Sequence, residues 1–308
     1  MTSSAPHWHL ILNHFPTVGT VIGLGLLLGA LYLKSEDLEL AALGLLVVLG
    51  LVAIPTYISG AAAAWALQEE VSARAELVTA HEDAALFAFA SVLCTGWLAW
   101  LTLWLRRRFS RAPRWSVLSV AALAAVSLLL MVRAGTLGGG INHPEIVTGE
   151  TVAGPGHTAA MAAWVVDGAV TWPSLEATHF IGMSMLFGVV LLMVLRVFGV
   201  GRGVPFSALH RLLPLGIFGF MMNVGSGMLF FIADSDRYSA MTAGFFPKLA
   251  LIVIGGVGLL YFTLVDETWS LGDGDDAPMR AKVVAAAILL LWSGVIVYGR
   301  LLPYLEGL

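Results

Sequence analysis

Long apolar runs, separated by short polar or glycine- and proline-rich breaks, dominate the pattern along this chain. A helix that crosses a bilayer needs about 20 predominantly apolar residues. Runs of that length predict eight transmembrane helices, at roughly 10–33, 40–66, 80–105, 115–140, 174–198, 208–233, 245–265 and 280–300. The pattern therefore predicts an all-α integral membrane protein.

The longest break in hydrophobicity divides the chain near its middle. We expect a four-span membrane domain at 1–142, a linker outside the membrane at 143–173 and a second four-span domain at 174–308. Each domain is predicted to fold as a four-helix bundle. Within the linker, residues 157–166 suit a short helix lying in the membrane interface, and an ordinary linker is the alternative.

The basic residues set the expected orientation. Short cytoplasmic loops of membrane proteins are enriched in lysine and arginine. The arginine-rich segment after the third predicted span therefore places that side inside, with both termini outside. The basic residues on this side are Lys34, Arg106, Arg107, Arg108, Arg111, Arg114, Arg196, Arg202, Arg211, Arg280 and Lys282.

Composition agrees with a membrane location and argues against a nucleic-acid partner, an internal disulfide and a covalently attached haem. The 308 residues are 58% hydrophobic and 12% charged, whereas soluble domains are about 25% charged. A net charge of −4 gives no reason to expect a nucleic-acid partner. The single cysteine, Cys94, excludes an internal disulfide and the Cys-x-x-Cys-His attachment of a c-type haem. The first 12 residues lack the basic start of a secretory signal, so we expect them to be retained.

Histidines carry the strongest functional signal. On the predicted topology, seven of the eight lie at the outer edge of the membrane. An imidazole is costly in hydrocarbon unless it has a partner, so a ring of them at one depth suggests a bound metal or haem. Four lie within a few residues of the outer end of an apolar run: His14, His81, His143 and His179.

His14 and His81 are the leading candidates for axial ligands of a haem. They begin the first and third spans, which are diagonal neighbours in an up-down four-helix bundle. Two imidazoles facing each other across a bundle core are the geometry that holds a b-type haem. Pro16 frees the carbonyl of Leu12 and lets the turn around His14 open. The alternative is that both imidazoles bind lipid headgroups or nearby carboxylates.

Further candidates are less sharply defined. Arg133 lies about two turns inside the membrane near Gly138 and Gly139, which suits contact with haem propionates, although snorkelling or pairing with a glutamate is the alternative. His143 and His179 are candidates for a second pair of axial ligands. His210 opens the sixth span on the other face, where a structural or headgroup role is expected.

The N-terminal histidines, His7 and His9, precede the membrane. A flexible terminal pair is the expected state, and the alternative is that they cover the outer site or bind a metal with Trp8 nearby. The two halves are weakly alike where their first spans begin, with residues 13–16 matching 178–181. At the start of the third span, the second half has Lys248 where the first half has His81.

The first half resembles a family of uncharacterised bacterial four-span membrane domains. The matching residues are those from His9 to Pro16, His81 and the run Gly138-Gly139-x-x-x-His143-Pro144-Glu145. This resemblance implies haem binding, and relatives beside c-type cytochrome modules imply electron transfer.

The second half resembles another four-span family, distantly similar to copper-resistance type membrane domains. The matching residues are His179-Phe180-x-Gly182, His210-Arg211-x-x-Pro214, Tyr238 and Phe246-Pro247-Lys248.

Together these patterns predict a b-type cytochrome subunit of the bacterial cytoplasmic membrane, with one or two haem b groups near the periplasmic face. It would pass electrons between quinol and a c-type or membrane-bound cytochrome partner, within a larger membrane complex. His14, His81, His143, His179 and Arg133 would contact the cofactor. The alternatives are a protein that handles copper or another transition metal, and a cofactor-free assembly or scaffold subunit.

Overall fold

The fold is described from a computed structural model that covers residues 4–71, 74–142, 156–240, 242–265, 269–272 and 274–302. Within these ranges the chain is helical and contains no strand. The helices are α1 (Ser4–Leu12), α2 (His14–Leu33), α3 (Glu36–Ala66), α4 (Gln68–Val71), α5 (Ala75–Phe109), α6 (Arg114–Asn142), α7 (His157–Asp167), α8 (Thr171–Val197), α9 (Phe206–His210), α10 (Leu213–Ala233), α11 (Ser235–Ala240), α12 (Thr242–Leu264) and α13 (Met279–Leu301).

Eight helical segments in the described residues are long and apolar enough to cross a membrane, which confirms the prediction of an all-α membrane protein with eight spans. The grouping into two four-helix bundles and the location of both termini outside stay predictions. The segments are Ala5–Leu33, Glu36–Ala66, Ala75–Phe109, Arg114–Ile141, Thr171–Val197, Phe206–Ala233, Gly244–Leu264 and Met279–Leu301.

The first segment is not one continuous helix. It breaks at Asn13, so that α1 ends at Leu12 and α2 begins at His14. Pro16 has no N–H and cannot bond to the carbonyl of Leu12. The hydroxyl of Thr56 on α3 donates to the Val52 carbonyl at 2.8 Å and lies 3.4 Å from the Leu12 carbonyl. Pro16 therefore explains why the helix breaks near Asn13, and the Leu12 carbonyl that it leaves unbonded lies beside α3.

By their internal contacts, the residues divide into two compact units. Unit 1 comprises Met1–Thr102, Ala112–Gly168 and Phe231–Ala240. Unit 2 comprises Leu103–Arg111, Ala169–Phe230 and Met241–Leu308. The domain boundaries predicted from the linker stay a prediction.

Small residues allow close helix packing in unit 1. Gly23 on α2 faces Leu46 on α3, and a Cβ atom at Gly23 would lie 2.8 Å from the Leu46 side chain. Gly50 on α3 and Gly96 on α5 meet backbone to backbone, with a Cβ at Gly50 only 3.1 Å from the Cα of Gly96. Helices in lipid associate through such close contacts, because burial away from lipid tails gains little hydrophobic free energy.

Helix α7 is held against α5 by a carboxylate. Gly156, at the N-cap of α7, has no side chain, and Asp83 of α5 takes over the capping role. Its two oxygens accept from the backbone N–H groups of His157 at 2.9 Å and Thr158 at 3.0 Å. They also accept from the His157 ring at 3.1 Å and the Thr158 hydroxyl at 3.1 Å. The predicted short helix is therefore present, and its position in the membrane interface stays a prediction.

In unit 2, α8 and α10 approach each other through glycines. A Cβ at Gly182 would lie 2.8 Å from the carbonyl oxygen of Gly219, and a Cβ at Gly219 would lie 2.6 Å from that of Gly182. Neither position has room for a side chain. Helix α13 packs against both α8 and α12, which completes the long helices of this unit.

Arg196 lies at the end of α8 opposite His179 and forms hydrogen bonds with two loops, those that contain Val204 and Asp275. Its side chain is 2% exposed and lies over the Phe206 ring, 4.0 Å from the centroid. The guanidinium donates to the carbonyls of Val204 at 2.7 Å and Asp275 at 3.3 Å. In the second loop, Lys282 donates to the exposed carboxylate of Asp276 at 2.9 Å, and this hydrogen bond lowers the pKa of Asp276.

Candidate functional site

His81 lies on α5 against the end of α6. Its Nδ1 is 2.9 Å from the carbonyl oxygen of Ala134. Its ring lies against Gly138, one turn further along α6, where a Cβ atom would be 2.8 Å from the imidazole Cε1. A carbonyl oxygen can only accept, so Nδ1 carries the hydrogen and Nε2 keeps its lone pair. The His81 ring is therefore oriented so that Nε2 is a lone-pair acceptor.

His9 lies on α1, and its ring packs against α3 in the same way. Its Nδ1 is 3.2 Å from the carbonyl oxygen of Thr56 and 3.2 Å from the hydroxyl of Ser59. Ser59 donates its own hydrogen to the Thr56 carbonyl at 2.8 Å, so both oxygens accept from His9. One turn after Thr56 comes Gly60, where a Cβ atom would be 2.9 Å from the His9 Cε1. In both cases a carbonyl and a glycine four residues later hold the ring.

Both imidazoles belong to unit 1, where their side chains are partly buried, and His81 exerts an electrostatic effect on His9. Because both Nδ1 atoms are bound to helix oxygens, the Nε2 atoms are the ones left for a ligand. The two partly buried, oriented imidazoles of unit 1 are thus those of His9 and His81.

His14, predicted to be the partner of His81, has a different environment. Its side chain is exposed, and its Nδ1 lies 2.7 Å from the carbonyl of Leu10, one turn earlier in the same segment. Next to it, Phe15 is 55% exposed. The position suits a side chain that faces lipid, and the predicted role of His14 as an axial ligand gains no support from this geometry.

Arg133 and His143 also do not add to the pair. Arg133 is exposed on α6, on a surface that includes Leu129 and Val132, which are 71% and 57% exposed. His143 lies outside the described residues, so its predicted pairing with His179 stays a prediction. Near His81, Ala84 and Ala88 form a buried contact with Ala134.

Aromatic and acidic side chains neighbour the histidines and their anchors along α3 and α5. Tyr57 on α3, next to Thr56, stacks on Phe89 of α5 with ring centroids 4.8 Å apart. Glu82, next to His81, is partly buried, and Asp83 and Asp236 act on it electrostatically. Helix α7, capped by Asp83, packs beside this region.

In unit 2, a serine hydroxyl orients the ring of His179 on α8. Its Nδ1 lies 2.9 Å from the hydroxyl of Ser226 on α10, and Ser226 donates to the carbonyl of Met222 at 2.6 Å. Because the Ser226 hydroxyl hydrogen is donated to Met222, the Ser226 oxygen accepts from the Nδ1–H of His179. The Nε2 of His179 therefore keeps its lone pair. The charged group that acts on His179 is Lys248 of α12.

His210 is enclosed by aromatic rings, as expected for a structural histidine. It stacks on Trp104 with centroids 6.2 Å apart, and Trp269 packs edge-on at 5.0 Å. Trp104 Nε1 donates to the backbone carbonyl of His210 at 3.0 Å. The buried Nε2 of His210 has no conventional hydrogen-bond partner among the described residues, and the His210 ring packs against Trp269.

The donor set suits some ligands better than others. Among the described residues, no three His, Cys, Asp or Glu side chains converge as they would around a metal ion. A structural metal ion in a protein is usually held by four protein ligands, and a catalytic zinc by three. A haem needs two axial ligands, since the porphyrin supplies the other four nitrogens. Two oriented imidazoles therefore fit a haem better than a bare ion.

No family model, curated protein or solved structure matches this chain. The resemblance of each half to a four-span family stays a prediction.

Sequence reasoning assigned His9 to a flexible terminal pair and gave metal binding, or covering of the outer site, only as the alternative. Two signals favour a role in the site. His9 is the first residue of the stretch that carries the family resemblance, and the second half of the second span contains the small or polar residues Thr56, Ser59 and Gly60. Together they mark a polar recess that can receive a ring from a neighbouring helix.

Proposed function

We propose that this chain is a membrane b-type cytochrome whose haem b is held by His9 and His81 at the outer end of unit 1. The observation that carries the proposal is the presence in unit 1 of two partly buried imidazoles whose Nδ1 atoms are both bound to helix oxygens. Histidines that bind metals almost always donate their other ring N–H in this way, which fixes the tautomer and makes Nε2 a better ligand.

Haem would supply reversible one-electron transfer. The residues of the chain would orient the two axial nitrogens and set the polarity around them, which tunes the reduction potential. Gly60 and Gly138 matter because any side chain there would push an imidazole out of position. The stacked rings of Tyr57 and Phe89 add an apolar wall on α3 and α5.

We further propose that the chain resides in a bacterial cytoplasmic membrane with this site near the periplasmic face. The distribution of lysine and arginine supports that orientation. Electrons would pass between quinol and a c-type or membrane-bound cytochrome partner in a membrane complex. Two parts of the prediction gain no support from the contacts described above. They are a second haem held by His143 and His179, and contact of Arg133 with haem propionates.

Copper handling is the second candidate, and a cofactor-free scaffold is the third. The His9–His81 pair is compatible with a two-coordinate soft metal, but it offers no sulfur ligand. Cys94, the single cysteine of the chain, lies more than three helical turns along α5 from His81. For this reason we favour haem.

The test is an absorption spectrum of the purified full chain before and after dithionite, together with elemental analysis. We expect a Soret band and a sharp α-band on reduction, with iron and extractable protohaem in near-stoichiometric amounts. A colourless protein from haem-replete cells would contradict the proposal. Bound copper without porphyrin would favour metal handling instead.

A further inference from the structure

His179 of unit 2 is an oriented imidazole that the proposed site in unit 1 does not use. Its Nδ1 lies 2.9 Å from the hydroxyl of Ser226 on α10, and Ser226 donates its own hydrogen to the carbonyl of Met222. The next residue, Gly227, packs against the ring, since a Cβ atom there would be 3.6 Å from Cε1. Nδ1 therefore donates to the serine, and Nε2 is the nitrogen that keeps a lone pair.

This arrangement repeats the one around His9 in unit 1. There too a serine hydroxyl lies beside Nδ1, at 3.2 Å, and that serine, Ser59, donates to a carbonyl of its own helix. The glycine that follows it, Gly60, packs against the Cε1 edge of the imidazole. The histidine precedes the serine by 50 residues in unit 1 and by 47 residues in unit 2.

The sequence around the two serines is also alike. Residues 56–60 read Thr-Tyr-Ile-Ser-Gly and residues 223–227 read Asn-Val-Gly-Ser-Gly, so each Ser-Gly pair follows a polar residue at the same spacing. In each unit the histidine comes from the first long apolar segment and the serine from the second. By its anchor, the counterpart of His9 in unit 2 is His179, although the starts of the spans align His179 with His14.

The number of imidazoles differs between the units. The histidines of unit 2 are His179 and His210, and the His210 ring lies between tryptophans with a buried Nε2. Among the described residues, no three His, Cys, Asp or Glu side chains converge to hold a bare metal ion. A haem needs only one protein ligand, because the porphyrin supplies four nitrogens, and a single proximal histidine holds the iron in globins and peroxidases. One imidazole leaves the sixth position of such an iron open.

The acceptor of the Nδ1 hydrogen limits the chemistry of this ligand. An acceptor on the second ring nitrogen tunes how basic the first one is, and a carboxylate would make the ring electron-rich. An electron-rich axial ligand, such as a thiolate, favours cleavage of an O–O bond. Ser226 is a neutral acceptor, and Phe230 lies edge-on to His179 with centroids 6.0 Å apart. A neutral imidazole beside an aromatic ring suits reversible binding of a small uncharged ligand.

We propose that unit 2 binds a second haem b through Nε2 of His179 as the single protein ligand, and that the open position takes a diatomic molecule such as O₂, CO or NO. The proposal rests on the proposed function, since it extends the use of this imidazole arrangement from unit 1 to unit 2. It differs in coordination, because the unit 1 haem has two imidazoles and no open position. A haem held in this way does not need His143, which was predicted to pair with His179.

The experiment determines haem b per purified full chain and records reduced and CO-treated spectra of the same samples. We expect one haem for each unit, of which CO binds the unit 2 haem. His179→Gly should lose the CO-binding haem and keep the low-spin α-band of unit 1, and added imidazole should restore part of the CO binding. His210→Phe, which replaces the other histidine of unit 2 by an aromatic ring, should keep both haems.

Ser226→Ala tests the arrangement without removing the ligand. Resonance Raman spectra of a ferrous five-coordinate haem show the stretch of the iron–histidine bond, which weakens when Nδ1–H loses its acceptor. We expect a lower frequency in Ser226→Ala and the wild-type frequency in Ser184→Ala. Ser184 is an exposed serine of α8 that donates to its own helix, at the carbonyl of Phe180. An unchanged frequency in Ser226→Ala would contradict the role of the serine.

The outcomes separate this haem from that of unit 1. A CO-binding haem that persists when His9 and His81 are both replaced by alanine, and disappears in His179→Gly, supports the proposal. A single low-spin haem that His179→Gly leaves intact overturns it and keeps the proposed function. A second haem that ignores CO and is lost in both His179→Gly and His143→Ala also overturns it, because two imidazoles would then hold that iron. A colourless protein overturns both proposals.

Discussion

The capping of α7 by Asp83 gives a prediction whose size follows from the geometry. Asp83→Ala removes an acceptor that receives four hydrogen bonds from His157 and Thr158. Replacing a capping side chain by alanine costs about 0.5–2 kcal/mol. Loss of a negative charge at a helix N-terminus costs about 0.3–1 kcal/mol more. We therefore expect the free energy that holds α7 in place to fall by roughly 1–3 kcal/mol.

Hydrogen–deuterium exchange with mass spectrometry measures this loss directly. Each 1.4 kcal/mol is a factor of ten, so amides of α7 should exchange roughly five- to a hundredfold faster in Asp83→Ala. Asp83→Asn should show a smaller effect, because asparagine also caps helices. Val165, which is fully buried near the other end of α7, should limit the change to a loosened start of the helix.

Glu76→Ala is the matched control, since Glu76 is an exposed carboxylate two turns earlier on α5. It should leave exchange in α7 unchanged. Equal protection of α7 in wild type and Asp83→Ala would refute the reasoning, because the carboxylate would then contribute nothing to the position of this helix. Faster exchange throughout unit 1 would also contradict it, since the effect is expected to be local.

Two further predictions concern stability in detergent, measured as thermal unfolding of the full chain. Arg196→Met should lower the unfolding free energy by about 2–4 kcal/mol, because it leaves the carbonyls of Val204 and Asp275 without their buried donor, whereas Arg280→Met on an exposed position should change little. Gly23→Leu should cost about 1–3 kcal/mol through overpacking against Leu46, whereas Gly25→Leu on the open side of the same helix should be tolerated. Equal effects within either pair would contradict the packing described here.

Much of the fold followed from the hydropathy of the sequence. The span expected at 174–198 is α8, Thr171–Val197, and the span expected at 115–140 lies within α6, Arg114–Asn142. A run of about 20 apolar residues has few alternatives to a helix in a membrane protein, because its backbone must satisfy its own hydrogen bonds. The short helices α4, α9 and α11 carry no such signal, and they were not predicted.

The candidate site was harder to predict because it depends on helix rotation. At 3.6 residues per turn, His9 and His14 would point about 140° apart on one straight helix, so only one of them can face α3. The helix breaks at Asn13, and the oxygens that receive the His9 ring lie on α3, which a linear pattern does not show. His81, at the start of a long span, needed no such detail.

The ligands of the proposed haem can be tested most directly by comparing three variants in one reduced-minus-oxidised spectrum. His9→Ala and His81→Ala should each lose the low-spin α-band of the unit 1 haem, and added imidazole should restore part of it by occupying the vacated position. His14→Ala, with its exposed ring, should keep the wild-type spectrum. A spectrum that survives His9→Ala but disappears in His14→Ala would contradict the account.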